Sequence, residues 1–418
     1  MSPTFQALSV RNYRLYATGG VISNTGTWMQ RVAQDWLVLQ LTHSGSALGI
    51  TTGLQFLPFL LLTPIAGLIA DRCSKRQMLM ITQASLAVSA AMLGILATSG
   101  HAQAWHVYIL AFVFGIGTAF DSPARQAFIV EMVGREFLPN AVGLNSASFN
   151  LGRIVGPGLA GLLIAALGSG VRATGWVIVI NAISYLAVIW SLRAMRVDEL
   201  EPSVPVARAR GALRDGVRYV LRSPDLMFAF IVAFFAGTFG MNFQITTALM
   251  ATGTFHKGAG EYGLLGSIMA VGSLGGALWS ARRGYPRRLT LVLSAVAFSV
   301  TEMAAGVMPT YWSFALMLPF VGLAALSMLN ALQTTVQLSV ASEVRGRVMA
   351  LYMMIFMGGT PFGAPVIGWV GQQFGARWSL IAGGAVTLVA VVVATSWLLR
   401  SEHIHLRDVS MRPVKIAA

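Results

Sequence analysis

The sequence predicts an all-α membrane protein of twelve transmembrane helices, arranged as two pseudo-symmetric six-helix bundles. Three observations carry this. Of 418 residues, 56% are hydrophobic and only 11% charged, where a soluble domain carries about 25% charge. Apolar runs of about 20 residues, enough to cross a hydrocarbon core about 30 Å thick, recur along the whole chain. The two halves also resemble each other at a shift of 207 residues.

The runs place spans at 15–41, 46–70, 77–99, 104–132, 138–167 and 175–194, then at 224–252, 260–282, 288–307, 311–339, 346–373 and 376–399. No cleavable signal is expected ahead of the first, because "MSPTFQALSVRNYRLY" lacks an apolar core and a small-residue cleavage site. Residues 1–194 form the first bundle and 224–400 the second. Between them, 195–223 form a linker whose "RARGALRDGVRYVLR" sets Leu213, Val217, Val220 and Leu221 opposite the arginines, the pattern of a helix lying in the headgroup plane. Residues 401–418 are a tail.

The net charge of +14 reads as orientation. With these spans, every Lys and Arg lies on the N-terminal side except Arg172, Lys257 and Arg377 on the other side, and Arg31 and Arg153 within the membrane. By the positive-inside rule both termini are cytoplasmic, in a bacterial-type inner membrane, and the basic surface meets anionic lipid headgroups rather than nucleic acid. The single cysteine, Cys73, excludes an internal disulfide and fits a reducing compartment.

At the 207-residue shift Glu136 lies over Glu343, Phe149 over Phe356, Gly152 over Gly359, Gly156 over Gly363 and Gly161 over Gly368. An even number of spans per half makes the repeats parallel, and transporters built so bind substrate between their halves. In "NLGRIVGPGLAGLLI", Gly152, Gly156 and Ala160 make a small-residue stripe that lets helix backbones touch. Pro157 removes one backbone bond and is expected to bend the span. A bent fifth span beside the eleventh reads as a lever, or as plain helix packing.

This stretch, Gly152, Gly156, Pro157 and Gly161, is similar to the fifth-helix antiporter motif of the major facilitator superfamily. "GLIADRCSKR" resembles the same superfamily's loop motif: Gly67, Ala70, Asp71, Arg72, Lys75 and Arg76 match, while Ile69 and Ser74 depart from it. Ser74 stands for a glycine, which questions the tightness of the turn. "QDWLVLQLTHSGSALG" and "SEVRGRVMALYMM" resemble the branch containing enterobactin exporters and macrolide-type efflux proteins. The resemblance implies the major facilitator fold, export rather than import, and no cofactor beyond a proton gradient. It also implies that Asp71 latches one conformation through the inner ends of the fourth and eleventh helices, with Arg125 the nearest candidate partner.

An ionisable residue inside a span costs about 2.5–3.5 kcal/mol on insertion scales and demands an explanation. Arg31 and Asp35 stand one helical turn apart and can pair. Gln30 belongs to the same polar sector and is a candidate for substrate contact. Asp35 is the first candidate to carry a proton, against the reading that it only neutralises Arg31. Asp121 and Glu302 are further candidates, with Glu302 expected near the outer headgroups. Arg153 is expected to hold an anionic substrate group or to bridge to Asp121. Asn242 and Gln244 are candidates for the polar side of a pocket in the Met- and Phe-rich seventh span.

These features point to a secondary transporter, a monomer that exports small amphipathic molecules in exchange for protons. An importer on the same fold is the alternative. An enzyme is disfavoured: the only His-x4-Asp string, His403 to Asp408, lies in the tail, the histidines fall outside the spans except His106 in the first turn of the fourth, and no Walker loop supports ATP-driven transport.

Overall fold

The computed structural model describes residues 3–201, 217–221, 223–282 and 288–402, and for a few of these, Asp71 and Glu343 among them, only the backbone. Of the expected linker helix only 217–221 are described: they are helical, with Val220 buried and Val217 and Leu221 exposed, while the tail string His403 to Asp408 lies outside the described residues.

Among the described residues, eleven helices long and apolar enough to cross a membrane and one long, more polar helix follow in chain order. The first six are α1 (Arg11–Thr42), α2 (Gly45–Arg72), α3 (Lys75–Thr98), α4 (Ala104–Val133), α5 (Leu138–Ala166) and α6 (Val171–Arg193). The next six are α7 (Pro224–Thr254), α8 (Ala259–Arg282), α9 (Arg288–Gly306), α10 (Tyr311–Leu338), α11 (Val344–Phe374) and α12 (Ala376–Glu402). Each matches its expected span to within about a turn. Eleven are long and apolar enough to cross a membrane. The twelfth, α1, has 32 residues and falls short only in apolarity, because its polar side chains are spent on other helices.

The described residues form two compact units. The first takes Met1–Ala207 together with Lys257–Ser267, and the second takes Arg208–His256 with Ile268–Ala418. The start of α8 thus belongs with the first six helices, where the sequence had placed all of it in the second bundle.

Within the first unit α1 packs on α5 and α6, α3 on α4 and α6, and α2 on α4. Glycines set the closest approaches. A Cβ on Gly152 would stand 2.9 Å from the Asn24 carbonyl carbon, and one on Gly156 would stand 2.6 Å from the Trp28 Cβ. On the opposite face of α1, a Cβ on Gly26 would meet Ser184 at 2.5 Å. In lipid, where packing rather than hydrophobicity holds helices together, such contacts are the adhesive.

The second unit repeats the scheme. Here α7 packs on α11 and α12, α9 on α10 and α12, and the Gly359 and Gly363 counterparts press on Thr238 of α7. The small-residue stripe of α5 accordingly lies on α1, as that of α11 lies on α7.

One feature of the second unit carries a large energy. Asp225 at the start of α7 and Arg288 at the start of α9 are 2% and 1% exposed, with Nε 2.7 Å from Oδ1 and Nη2 donating to Oδ2 at 2.8 Å. Removing one member strands a buried charge and costs about 3–5 kcal/mol, whereas replacing both by apolar groups is often neutral. Arg288→Met should therefore lower the melting temperature of the purified protein sharply, and Asp225→Leu/Arg288→Met should restore most of it. A single variant melting with the wild type would contradict this.

Candidate functional site

The polar side chains of α1 radiate to five other helices, α2, α4, α5, α6 and α8. Asn24 donates to Ser148 of α5 at 2.9 Å, Thr27 lies 3.3 Å from the Tyr185 hydroxyl of α6, and Gln34 donates to Gln55 of α2 at 3.1 Å. Gln30, a candidate for substrate contact, instead accepts from Asn181 of α6 at 2.5 Å and is 4% exposed. These bonds offset the cost of polar groups at membrane depth.

Asp35 is buried, and its Oδ2 accepts from the hydroxyl of Tyr262 in α8 at 3.0 Å. The Tyr262 ring stacks on Trp36 with centroids 6.2 Å apart. Pro157, Gly158 and Gly161 of α5 hold this part of α8 close. A Cβ on Gly161 would stand 2.5 Å from the Ala259 carbonyl oxygen, one on Gly263 would overlap the Pro157 carbonyl, and the Gly158 amide donates to Ser267 at 2.9 Å. The helix runs unbroken through Pro157. The proline's missing N–H frees the carbonyl of Arg153, four residues back.

The expected Arg31–Asp35 ion pair is not formed. Arg31 lies over the Trp28 ring, 4.7 Å from its centroid, with its buried Nε unbonded, and Tyr262 takes the carboxylate that it was expected to meet. Arg153 lies 5.8 Å from the same ring, and Phe149 meets that ring edge-on at 5.6 Å. Two guanidiniums within the expected spans thus share one indole and, among the described residues, no carboxylate. A cation–π contact contributes about 0.5–2 kcal/mol, less than the insertion cost of an arginine at the centre of a span.

Nor does Asp121 bridge to Arg153. Its Oδ2 accepts from Arg125 at 2.9 Å and its Oδ1 from Thr82 at 3.0 Å and Gln83 at 2.7 Å. Arg125 also donates to Tyr16 at 3.1 Å. Spacing explains the outcome, since Arg125 sits one turn along the same helix. Both oxygens of Asp121 are thus bonded within the first unit, the arrangement of an architectural carboxylate.

Glu302 stands about one turn before the end of α9 and is fully buried; among the described residues neither oxygen has a hydrogen-bond partner, and a Cβ on Gly383 of α12 would stand 3.1 Å from Oε1. Close by, α7 is interrupted. A π-helical turn spans Ala236–Gly240, the helix pauses at Met241 and Asn242, and it resumes at Phe243. Asn242 spends its amide on the carbonyls of Thr238 at 2.8 Å and Phe239 at 3.2 Å, while Gln244, half-buried, follows just after the pause. Such breaks occur at functional sites in membrane transporters.

The loop-motif residues are placed as follows. Gly67 is half-buried in the last turns of α2 and Arg72 is exposed. Ser74 caps α3 by accepting from the Gln77 amide at 3.4 Å, so serine in place of glycine gives a helix start without a left-handed backbone. Lys75 pairs with Glu131 of α4 at 3.1 Å, both buried. Arg76 donates to the Leu192 carbonyl of α6 at 2.7 Å. Sequence reasoning did not single out Tyr262, Trp28 or Glu131. The one signal was the glycine spacing around Tyr262 in "AGEYGLLG". Among the described residues no group of His, Cys, Asp and Glu is arranged to hold a metal ion.

A family model described as "Transmembrane secretion effector" matches residues 2–412. The chain belongs to that family. It is a transporter of the major facilitator type, not an enzyme. The multidrug efflux pump Tap of Mycolicibacterium fortuitum is 29% identical over 385 residues, covering 89% of this chain and 92% of the relative. The staphyloferrin A transporter of Staphylococcus aureus is 34% identical over 141 residues, 34% of this chain and 36% of the relative. A solved bacterial homologue of the human lysosomal transporter Spinster, in an inward-facing and unoccupied conformation, superposes with a TM-score of 0.70 at 16% identity. It covers 95% of this chain and 98% of that one, a likeness of fold.

Proposed function

We propose that this chain is a proton-coupled antiporter that exports amphipathic small molecules, drug- or siderophore-like, by alternating access in a bacterial inner membrane. The observation that carries the reading is Asp35: a carboxylate buried at membrane depth, outside salt-bridge reach of Arg31, and held by one phenolic hydroxyl from α8. A carboxylate whose one hydrogen-bond partner among the described residues comes from a different helix gains and loses that partner as helices shift, and so can bind and release a proton in step with the transport cycle. The glycine contacts between α5 and α8 let those helices slide with little side-chain obstruction.

On this reading the chain works as a monomer, without cofactor, with both termini cytoplasmic and its basic loops on anionic lipid. The two bundles, 1–194 and 224–400, rock about the linker at 195–223. Asp71 with Arg72, Lys75, Arg76 and Arg125 marks the latch region, and Glu302 is the second proton candidate.

The test is uphill movement in proteoliposomes with an imposed pH gradient and a panel of labelled amphiphiles. An antiporter concentrates its substrate in the more acidic compartment. Concentration in the alkaline compartment would instead show an importer on the same fold, which works as a symporter.

A further inference from the structure

We propose that Arg31 and Arg153, over the face of Trp28, form a recognition site for the anionic group of the transported molecule, so that the cargo is an amphipathic anion such as a carboxylate. This rests on the transport reading above and deepens it by naming the charge of the substrate. Both guanidiniums stand over one indole, at 4.7 and 5.8 Å from its centroid. Neither has a carboxylate oxygen within 4.0 Å among the described residues, and the Arg31 Nε is buried and unbonded. Asp35, one turn along from Arg31, is the carboxylate nearest in sequence, and it is committed to Tyr262.

Position supports the assignment. Arg153 lies at the middle of α5, between Leu138 and Ala166, and transporters of this architecture hold substrate near the bilayer midplane. The pair is half-buried rather than sealed into the core, so a ligand can reach it. Pro157 leaves the Arg153 carbonyl without its helical donor, an acceptor for hydroxyls on a polar head. Trp28 and the edge-on Phe149 supply apolar contact for the body attached to it. Guanidinium forks suit planar anions, which they bind through paired N–H donors. A cationic amphiphile meets two like charges here instead.

The experiment measures binding of three probes with one fluorophore and different charge to the purified full-length protein: dansylglycine, its carboxamide and dansylcadaverine. The carboxylate should bind at least about tenfold more tightly than the neutral amide, and the cation more weakly than either. Arg31→Gln and Arg153→Gln should each weaken the carboxylate about tenfold, a loss of about 1.4 kcal/mol, and leave the amide unchanged. That unchanged amide also shows that the variants are folded. Absence of saturable carboxylate binding, equal affinity for all three probes, or arginine variants that bind the carboxylate like wild type would each overturn the proposal. Charge-selective binding without flux driven by a pH gradient would sink the antiport reading alone. Flux without charge preference would sink this one alone.

Discussion

Asp35→Asn should abolish uphill transport while leaving a folded protein that still equilibrates its substrate. Asparagine has nearly the shape of aspartate, and its amide oxygen can accept the Tyr262 hydroxyl as Oδ2 does at 3.0 Å, so the contact between α1 and α8 is kept. What disappears is the proton. In proteoliposomes with a pH gradient, accumulation should fall at least about tenfold, to the level seen without a gradient, whereas downhill exchange stays within a few-fold of wild type. The melting temperature should move by only a few degrees, because the Tyr262 hydroxyl keeps its acceptor and a charge is removed from a buried position. If the variant still pumps uphill as wild type does, Asp35 is not the coupling group, and Glu302, buried with both oxygens unbonded, becomes the next residue to replace.

Gly156→Leu should cost the first unit its packing. A Cβ at this position would stand 2.6 Å from the Trp28 Cβ, 2.9 Å from the Thr25 carbonyl oxygen and 3.2 Å from the Met29 amide. Backbone atoms cannot rotate out of the way, so α1 and α5 must part. Overpacking typically costs about 1–3 kcal/mol and occasionally more. Here it also displaces the helix that bonds to α2, α4, α5, α6 and α8, so the upper end is expected. The measurement is thermal unfolding in detergent, with Gly143→Leu as the control: it lies on the same helix, and a Cβ there meets nothing within 4 Å. Equal melting of the two variants would show that the glycine stripe is not what holds α5 on α1.

Much of this architecture was legible before any coordinate. Span positions follow from apolar run length alone, and the repeat from the glycines at 152, 156 and 161. That α1 is set apart was also legible, since a helix holding Arg31, Asp35 and three glutamines does not face lipid. Partners were less so. The i, i+4 rule fits both Arg31–Asp35 and Asp121–Arg125, yet only the second pair forms. The difference lies in a residue 227 positions away, Tyr262, which one-dimensional spacing cannot bring into view. Its helix carries glycines at 260, 263 and 266, a pattern compatible with any close packing until the opposing Pro157 and Gly161 are seen. The burial of Glu302 was missed for a similar reason. Distance along α9 gives depth, but only Gly383 and Gly240 of other helices show which side faces inward.

The central claim is that a proton moves through Asp35 opposite to the cargo. It is tested most directly by loading weakly buffered proteoliposomes with substrate, letting it run out downhill, and recording lumenal pH with a trapped indicator. Antiport through this residue predicts that the lumen acidifies as substrate leaves, and that Asp35→Asn releases substrate with no pH change. A lumen that turns alkaline, or an unchanged proton signal in the variant, would contradict it.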